Sequence, residues 1–142
     1  MSQKCGATRA HSTRTLQKDD MLNRDRLVLA VVEDDPDIRS ALFRLLGSHG
    51  HEVHLFPSAE AYLAGDCRAD CAILDIQLPG ISGLDLEGRM RKAGSGTMVV
   101  FITARDDPQT REAIRRTERP SLLKPFDEQR LLDALERATH SH

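Results

Sequence analysis

The chain has 142 residues, of which 39% are hydrophobic and 30% charged, and a formal net charge of −2. A chain of this length suits one domain that buries about two-thirds of the surface its unfolded form would expose, so it needs no disulfide staples. Three cysteines (Cys5, Cys67, Cys71) with no CxxC pair, no signal peptide and no apolar run of membrane-spanning length argue against a secreted disulfide scaffold and a membrane protein, and predict a cytoplasmic one.

Charge is spread unevenly. Residues 1–26 carry six basic and three acidic side chains, whereas the rest of the chain carries fourteen basic and nineteen acidic. The first stretch is polar and lacks apolar periodicity, so 1–26 is predicted to be a disordered N-terminal extension and 27–142 the folded domain. The apolar run 27–32 predicts a strand that stops on Glu33-Asp34-Asp35. Asp35-Pro36 then opens a helix over 36–48: the aspartate can accept from free amide groups, and proline at the first helical position misses no hydrogen bond. Ile38, Leu42 and Leu45 fall on one face of that helix.

A strand near 52–55 and a helix near 58–65 follow. The run Cys71-Ala72-Ile73-Leu74 predicts a buried strand over 71–75 that ends on a lone carboxylate, Asp75, and gives way to the turn Ile76-Gln77-Leu78-Pro79-Gly80. Ser82 with Asp85 resembles a capping box for a helix over 83–93. A strand over 98–103 ends on Thr103, and Asp107-Pro108 repeats the proline helix start for 108–117. The strand 120–123 precedes Lys124-Pro125, and Asp127 can cap a last helix over 127–139 whose core stripe is Leu131, Leu135 and Ala138. Pro120 would be awkward in a central strand and is tolerated at a sheet edge.

Apolar runs alternating with helical patterns predict a parallel sheet covered on both faces. The carboxyl ends of parallel strands share one edge, so Glu33, Asp34, Asp75, Thr103 and Lys124 should converge there. A carboxylate can attack phosphorus only if the negative charge of the phosphoryl group is neutralised. Glu33 and Asp34 beside Asp75 offer hard oxygen ligands suited to Mg²⁺, Lys124 a point charge, and Thr103 a hydroxyl donor. Each signal alone has a structural explanation, as a helix cap, a strand end or a surface turn; their joint placement points to phosphoryl transfer. An aspartyl-nucleophile phosphatase would want a second acid two residues after Asp75, where Gln77 stands, and no GxGxxG follows the first strand to suggest a dinucleotide site. Cys67 and Cys71 lack the further ligands of a zinc site, and none of the six histidines falls near the acids.

The segments VVEDDPDIR (31–39), ILDIQLPGISGLDL (73–86), VVFITA (99–104) and LLKPF (122–126) resemble the CheY-like receiver domain of two-component response regulators, over about 27–138. With FPSAEAYL (56–63), the wording is similar to receivers of the FixJ branch. The resemblance implies an α/β, flavodoxin-like (βα)5 three-layer sandwich with a parallel five-stranded sheet in the order 2-1-3-4-5. It implies that Asp75 is the phosphoacceptor, supplied by a sensor histidine kinase or phosphotransfer protein. Asp34, Asp75 and the backbone carbonyl of Gln77 would hold Mg²⁺ directly and Glu33 through water. Thr103 and Lys124 would sense the phosphoryl group, and the Lys124–Pro125 bond would be cis. Enzyme activity would be at most self-phosphorylation and autodephosphorylation on Asp75.

The chain departs from that pattern at the switch position, where Ser121 replaces the usual Tyr or Phe, and at Arg116-Thr117-Glu118, where such receivers carry an Ala-Gly-Ala turn. A receiver-like interaction module whose output ignores phosphorylation is therefore the alternative. Output is expected through an unknown downstream protein on the face of the fourth helix, fifth strand and fifth helix, where Arg111, Arg115, Arg116 and Arg119 cluster with few compensating acids; the alternative is a solvated helix face, since Glu112 and Glu118 can pair locally with these arginines. No DNA-binding domain and no membrane partner are expected, and the chain reads as a stand-alone receiver or the receiver piece of a longer protein.

Overall fold

The computed structural model describes residues 26–140; apart from Arg26, the extension expected over 1–26 lies outside them, as does Cys5. Along the chain run β1 (Val28–Val32), α1 (Pro36–Ser48), β2 (Glu52–Phe56), α2 (Ala59–Ala64), β3 (Cys71–Asp75), α3 (Gly83–Lys92), β4 (Met98–Thr103), α4 (Pro108–Thr117), β5 (Ser121–Leu123) and α5 (Glu128–His140). The five strands are all parallel and ordered β2-β1-β3-β4-β5; β5 lies at an edge and begins just after Pro120, one residue later than expected.

Side chains alternate across the central strands, so each strand feeds two cores. Leu29 and Val31, Cys71 and Ile73, and Val100 and Ile102 pack with Leu42 and Leu46 of α1 and Leu131, Ala134, Leu135 and Ala138 of α5. Their neighbours Ala30 and Val32, Ala72 and Leu74, and Val99 and Phe101 pack on the other face with Tyr62, Leu86, Met90 and Ile114 of α2, α3 and α4. Each fully buried Leu or Ile contributes about 1.5–3 kcal/mol, which is why nearly unbroken apolar runs persist in β1, β3 and β4. Burial also pushes the Cys71 thiol up to about 12, so it is an inert core residue. Among the described residues no helix is long and apolar enough to cross a membrane.

The helix starts follow the expected chemistry. Asp35 accepts from the amides of Asp37 and Ile38, Ser82 from Asp85, Asp107 from Thr110 and Asp127 from Arg130. The α4 C-terminus is less ordinary. Its cap, Glu118, has φ 61, a left-handed conformation in a residue with a side chain. That conformation costs about 1–2 kcal/mol in a non-glycine residue, partly offset on substitution by the ~0.4–1 kcal/mol of extra unfolded-state entropy glycine brings. Glu118→Gly is therefore expected to raise stability by roughly 0.5–1 kcal/mol, read as a higher urea midpoint at unchanged slope.

Beyond Glu118, the guanidinium of Arg119 reaches Glu87 of α3 at 3.0 Å, and Arg91 meets the same carboxylate at 3.0 Å. Glu87 is fully buried. Burial works to raise its pKa, but the two guanidinium groups more than offset this and hold it below the usual carboxylate range. This brace ties the end of α4 to α3.

Candidate functional site

The acidic end of β1 is shaped by the start of α1. The Glu33 amide donates to the Phe56 carbonyl at 3.1 Å, which continues the sheet by one bond, and the Asp35 amide donates back to Glu33 Oε2 at 3.1 Å. Arg39, one turn into α1, donates to the carbonyls of Glu33 (2.8 Å) and Asp34 (3.4 Å). These bonds fix a fully buried Glu33 beside an exposed Asp34. Carboxylate oxygens of Glu33, Asp34 and Asp75 all lie within 4.8 Å of one another.

Asp75 closes β3 and is 2% exposed, so its carboxylate depends on protein partners. The Gln77 amide donates to Oδ1 at 3.0 Å, and Lys124 Nζ stands 3.2 Å from Oδ2. The same ammonium is 3.2 Å from Glu33 Oε1. Lys124 is placed by its own backbone, whose amide donates to the Thr103 carbonyl at 2.8 Å and extends the β4–β5 ladder, and the Lys124–Pro125 bond is cis. Thr103 is buried; its hydroxyl donates to Gln77 Oε1 at 3.0 Å and accepts from the Arg105 amide at 3.0 Å. Gln77 Oε1 also accepts from the Ala104 amide at 3.2 Å.

The loop after Asp75 is held from two sides. Gly83, the first residue of α3, donates to the Ile76 carbonyl at 3.2 Å, and a Cβ built there would lie 2.3 Å from the Asp75 carbonyl oxygen. Gly80 has φ +78, and the Glu60 carboxylate sits against it while accepting from the Ile81 amide at 3.0 Å. A helix start therefore butts directly against the strand end that carries Asp75.

Electrostatically the cluster is incomplete. Burial pushes the Glu33 carboxyl from an ordinary 4.5 up to about 7; the Asp35 amide and Lys124 oppose this, and the nearby Asp75 adds to it. Burial works against the Lys124 ammonium as well, yet Asp75 and Glu33 hold its pKa above that of an ordinary lysine. Glu33 Oε1 is buried without a hydrogen bond, its ammonium neighbour being an ion-pair contact only. Three clustered carboxylates, one with an unsatisfied buried oxygen and a reluctance to ionise, fit a hard divalent cation, which would relieve both penalties.

The structure thus brings Glu33, Asp34, Asp75, Gln77, Thr103 and Lys124 to one edge. Ser121 stands apart: it is half-buried in β5, in register with Phe101, two residues before Thr103. On the basic face the structure shows local pairing. Arg115 and Arg116 both pair with Glu112 (2.7 and 3.3 Å), Arg111 lies 3.5 Å from Asp106, and Arg119 turns to the buried Glu87. All four arginines contact carboxylates, but Arg115 and Arg116 share Glu112 and Arg119 shares Glu87 with Arg91, so the basic charge is largely and not fully compensated. Sequence reasoning missed the Gln77 side chain, Glu60, Gly83 and Arg39. Only Gly83 carries a local signal, a glycine at a first helical position where no positive φ is needed, which marks a close backbone approach.

Comparisons with known proteins agree on one family. The model of the response regulator receiver domain matches residues 29–136. The chain is 38% identical over 117 residues to nodulation protein W of Bradyrhizobium diazoefficiens, covering 80% of this chain and 52% of that one. It is 33% identical over 114 residues to the transcriptional regulatory protein FixJ of Azorhizobium caulinodans, covering 78% and 54%. The chain spans about half the length of the curated relatives it matches. Among solved structures, FixJ-N superposes with a TM-score of 0.72 at 28% identity, over 81% of this chain and 94% of that one.

Proposed function

Because the chain belongs to the response regulator receiver family of two-component systems, we propose that Asp75 accepts a phosphoryl group from a phosphohistidine on a sensor kinase or phosphotransfer protein. The phosphorus–nitrogen bond to the donor imidazole breaks as a bond to an Asp75 carboxylate oxygen forms, and the imidazole leaves with the electron pair. The observation that carries this reading is Lys124 Nζ, 3.2 Å from both Asp75 and Glu33 at the mouth of the acidic cluster. A cation so placed can follow the charge from carboxylate to phosphoryl oxygen.

Glu33, Asp34, Asp75 and the Gln77 carbonyl would hold Mg²⁺, which when bound neutralises phosphoryl charge. Asp75 supplies the nucleophilic oxygen, oriented by the Gln77 amide, and Thr103 supplies a hydroxyl donor. The signal then passes to a downstream protein through the face of α4, β5 and α5. What supports this face is Leu123 in β5, 43% exposed, rather than the paired arginines. Ser121 in place of an aromatic favours a second reading, in which partner binding ignores phosphorylation.

Incubation with acetyl phosphate is expected to label Asp75 in Mg²⁺ and not in EDTA, with labelling lost in Asp75→Asn, as located by mass spectrometry. Label on Asp34, or equal labelling without metal, would reject the assignment. Partner affinity unchanged between labelled and unlabelled protein would favour the second reading.

A further inference from the structure

We propose that the side-chain amide oxygen of Gln77 occupies, in the unmodified protein, the position that a phosphoryl oxygen on Asp75 must take, so that Gln77 is an internal competitor for the phosphoryl-sensing donors. The proposal rests on the reading of Asp75 as acceptor and concerns what that site holds beforehand.

Gln77 reaches both halves of the site. Its backbone amide donates to Asp75 Oδ1 at 3.0 Å, while Oε1 accepts from the Thr103 hydroxyl at 3.0 Å and from the Ala104 amide at 3.2 Å. Which end of the amide points inward is set by chemistry. The Ala104 N–H can only donate, so the group facing it is the oxygen; the amide nitrogen would oppose donor to donor. Thr103 has no donor to spare. Its single hydroxyl hydrogen goes to Gln77, and its oxygen already accepts from the Arg105 amide at 3.0 Å.

A phosphoryl group presents acceptors only. It can gain the Thr103 hydroxyl and the Ala104 amide only by displacing Gln77 Oε1, since each donor has one hydrogen. Gln77 is itself exposed, so its side chain can swing into water without opening a cavity. The latch is therefore two hydrogen bonds and little packing, and it engages the Thr103 hydroxyl before any modification. Gln77 acts through Thr103 and Ala104 and is a positioning residue.

The test titrates beryllofluoride with Mg²⁺ into the parent, Gln77→Ala and Gln77→Met, following backbone amides by NMR. Methionine keeps the length of the side chain and removes the strong acceptor. In the free protein both variants are expected to shift the Ala104 amide, and both are expected to bind beryllofluoride about thirtyfold more tightly, the worth of two ordinary hydrogen bonds. In the bound state the Ala104 amides of all three should coincide. Unchanged affinity, weaker binding in both variants, or Gln77→Met behaving like the parent would overturn the latch while leaving Asp75 as acceptor. No binding to the parent, or binding retained in Asp75→Asn, would overturn the acceptor reading and the latch with it.

Discussion

Gly83→Ala is expected to lower stability by roughly 2–3 kcal/mol and to weaken beryllofluoride binding at the same time. A Cβ at this position would meet the Asp75 carbonyl oxygen at 2.3 Å, the Asp75 carbonyl carbon at 2.9 Å and Ile76 Cα at 3.0 Å, all backbone atoms at the end of β3. Backbone in a central strand cannot give way as a side chain can, so either α3 lifts from the sheet or the Asp75 carboxylate moves. Gly80 makes the contrast. A Cβ there would meet the Glu60 carboxylate, a flexible side-chain end that can swing aside at the expense of its bond to the Ile81 amide, so Gly80→Ala should cost mainly the strain of φ +78, about 1–2 kcal/mol. Urea unfolding of the two variants checks the order. Gly83→Ala within 0.5 kcal/mol of the parent, a threshold set by ordinary surface changes of about that size, would show that the approach of α3 to β3 is looser than described.

The second large effect is a pH dependence of the metal-free protein. Glu33 titrates at an ordinary 4.5 when unfolded and at about 7 when folded. Between these values the folded state keeps a proton that the unfolded chain has lost, so the stabilisation is complete below pH 4.5 and is lost as pH rises through 7. The loss amounts to up to about 3 kcal/mol. Glu33→Gln cannot ionise; it should match the parent at low pH and exceed it above neutrality. Because a cation favours the ionised carboxyl, Mg²⁺ should bind more tightly as pH rises to about 7 and release protons on binding. Urea melts of both proteins in EDTA across this range provide the check, and parallel pH profiles for parent and Glu33→Gln would count against the assignment.

The fold was legible because its determinants are local. Asp35-Pro36 and Asp107-Pro108 mark helix starts within two residues, and both prolines are indeed first in their helices. Strands buried on both faces declare themselves as apolar runs, and the acids that stop those runs mark the sheet edge. Leu46 shows the limit of stripe counting: the 38, 42, 45 pattern passes over it, though it is fully buried. What escaped depends on pairs distant in sequence. Gln77 meets Thr103 across 26 residues and Glu87 meets Arg119 across 32. A glutamate on a polar helix reads as solvent-facing until both guanidinium partners are seen. The arginines of α4 illustrate the same point from the other side: Glu112 lies three and four residues before Arg115 and Arg116, and that spacing was enough to offer pairing within the helix as a reading.

The brace between Glu87 and Arg119 has a mechanical consequence. α4 is a rod with unequal fastenings: its far end is pinned to α3 through the buried Glu87 carboxylate, while its near end, seated by Thr110, follows the exposed 104–106 segment that begins after Thr103. A rod held in this way turns about its fixed end. A small displacement of Thr103 would therefore appear as a swing of the helix, largest at the Pro108 end and vanishing toward Thr117.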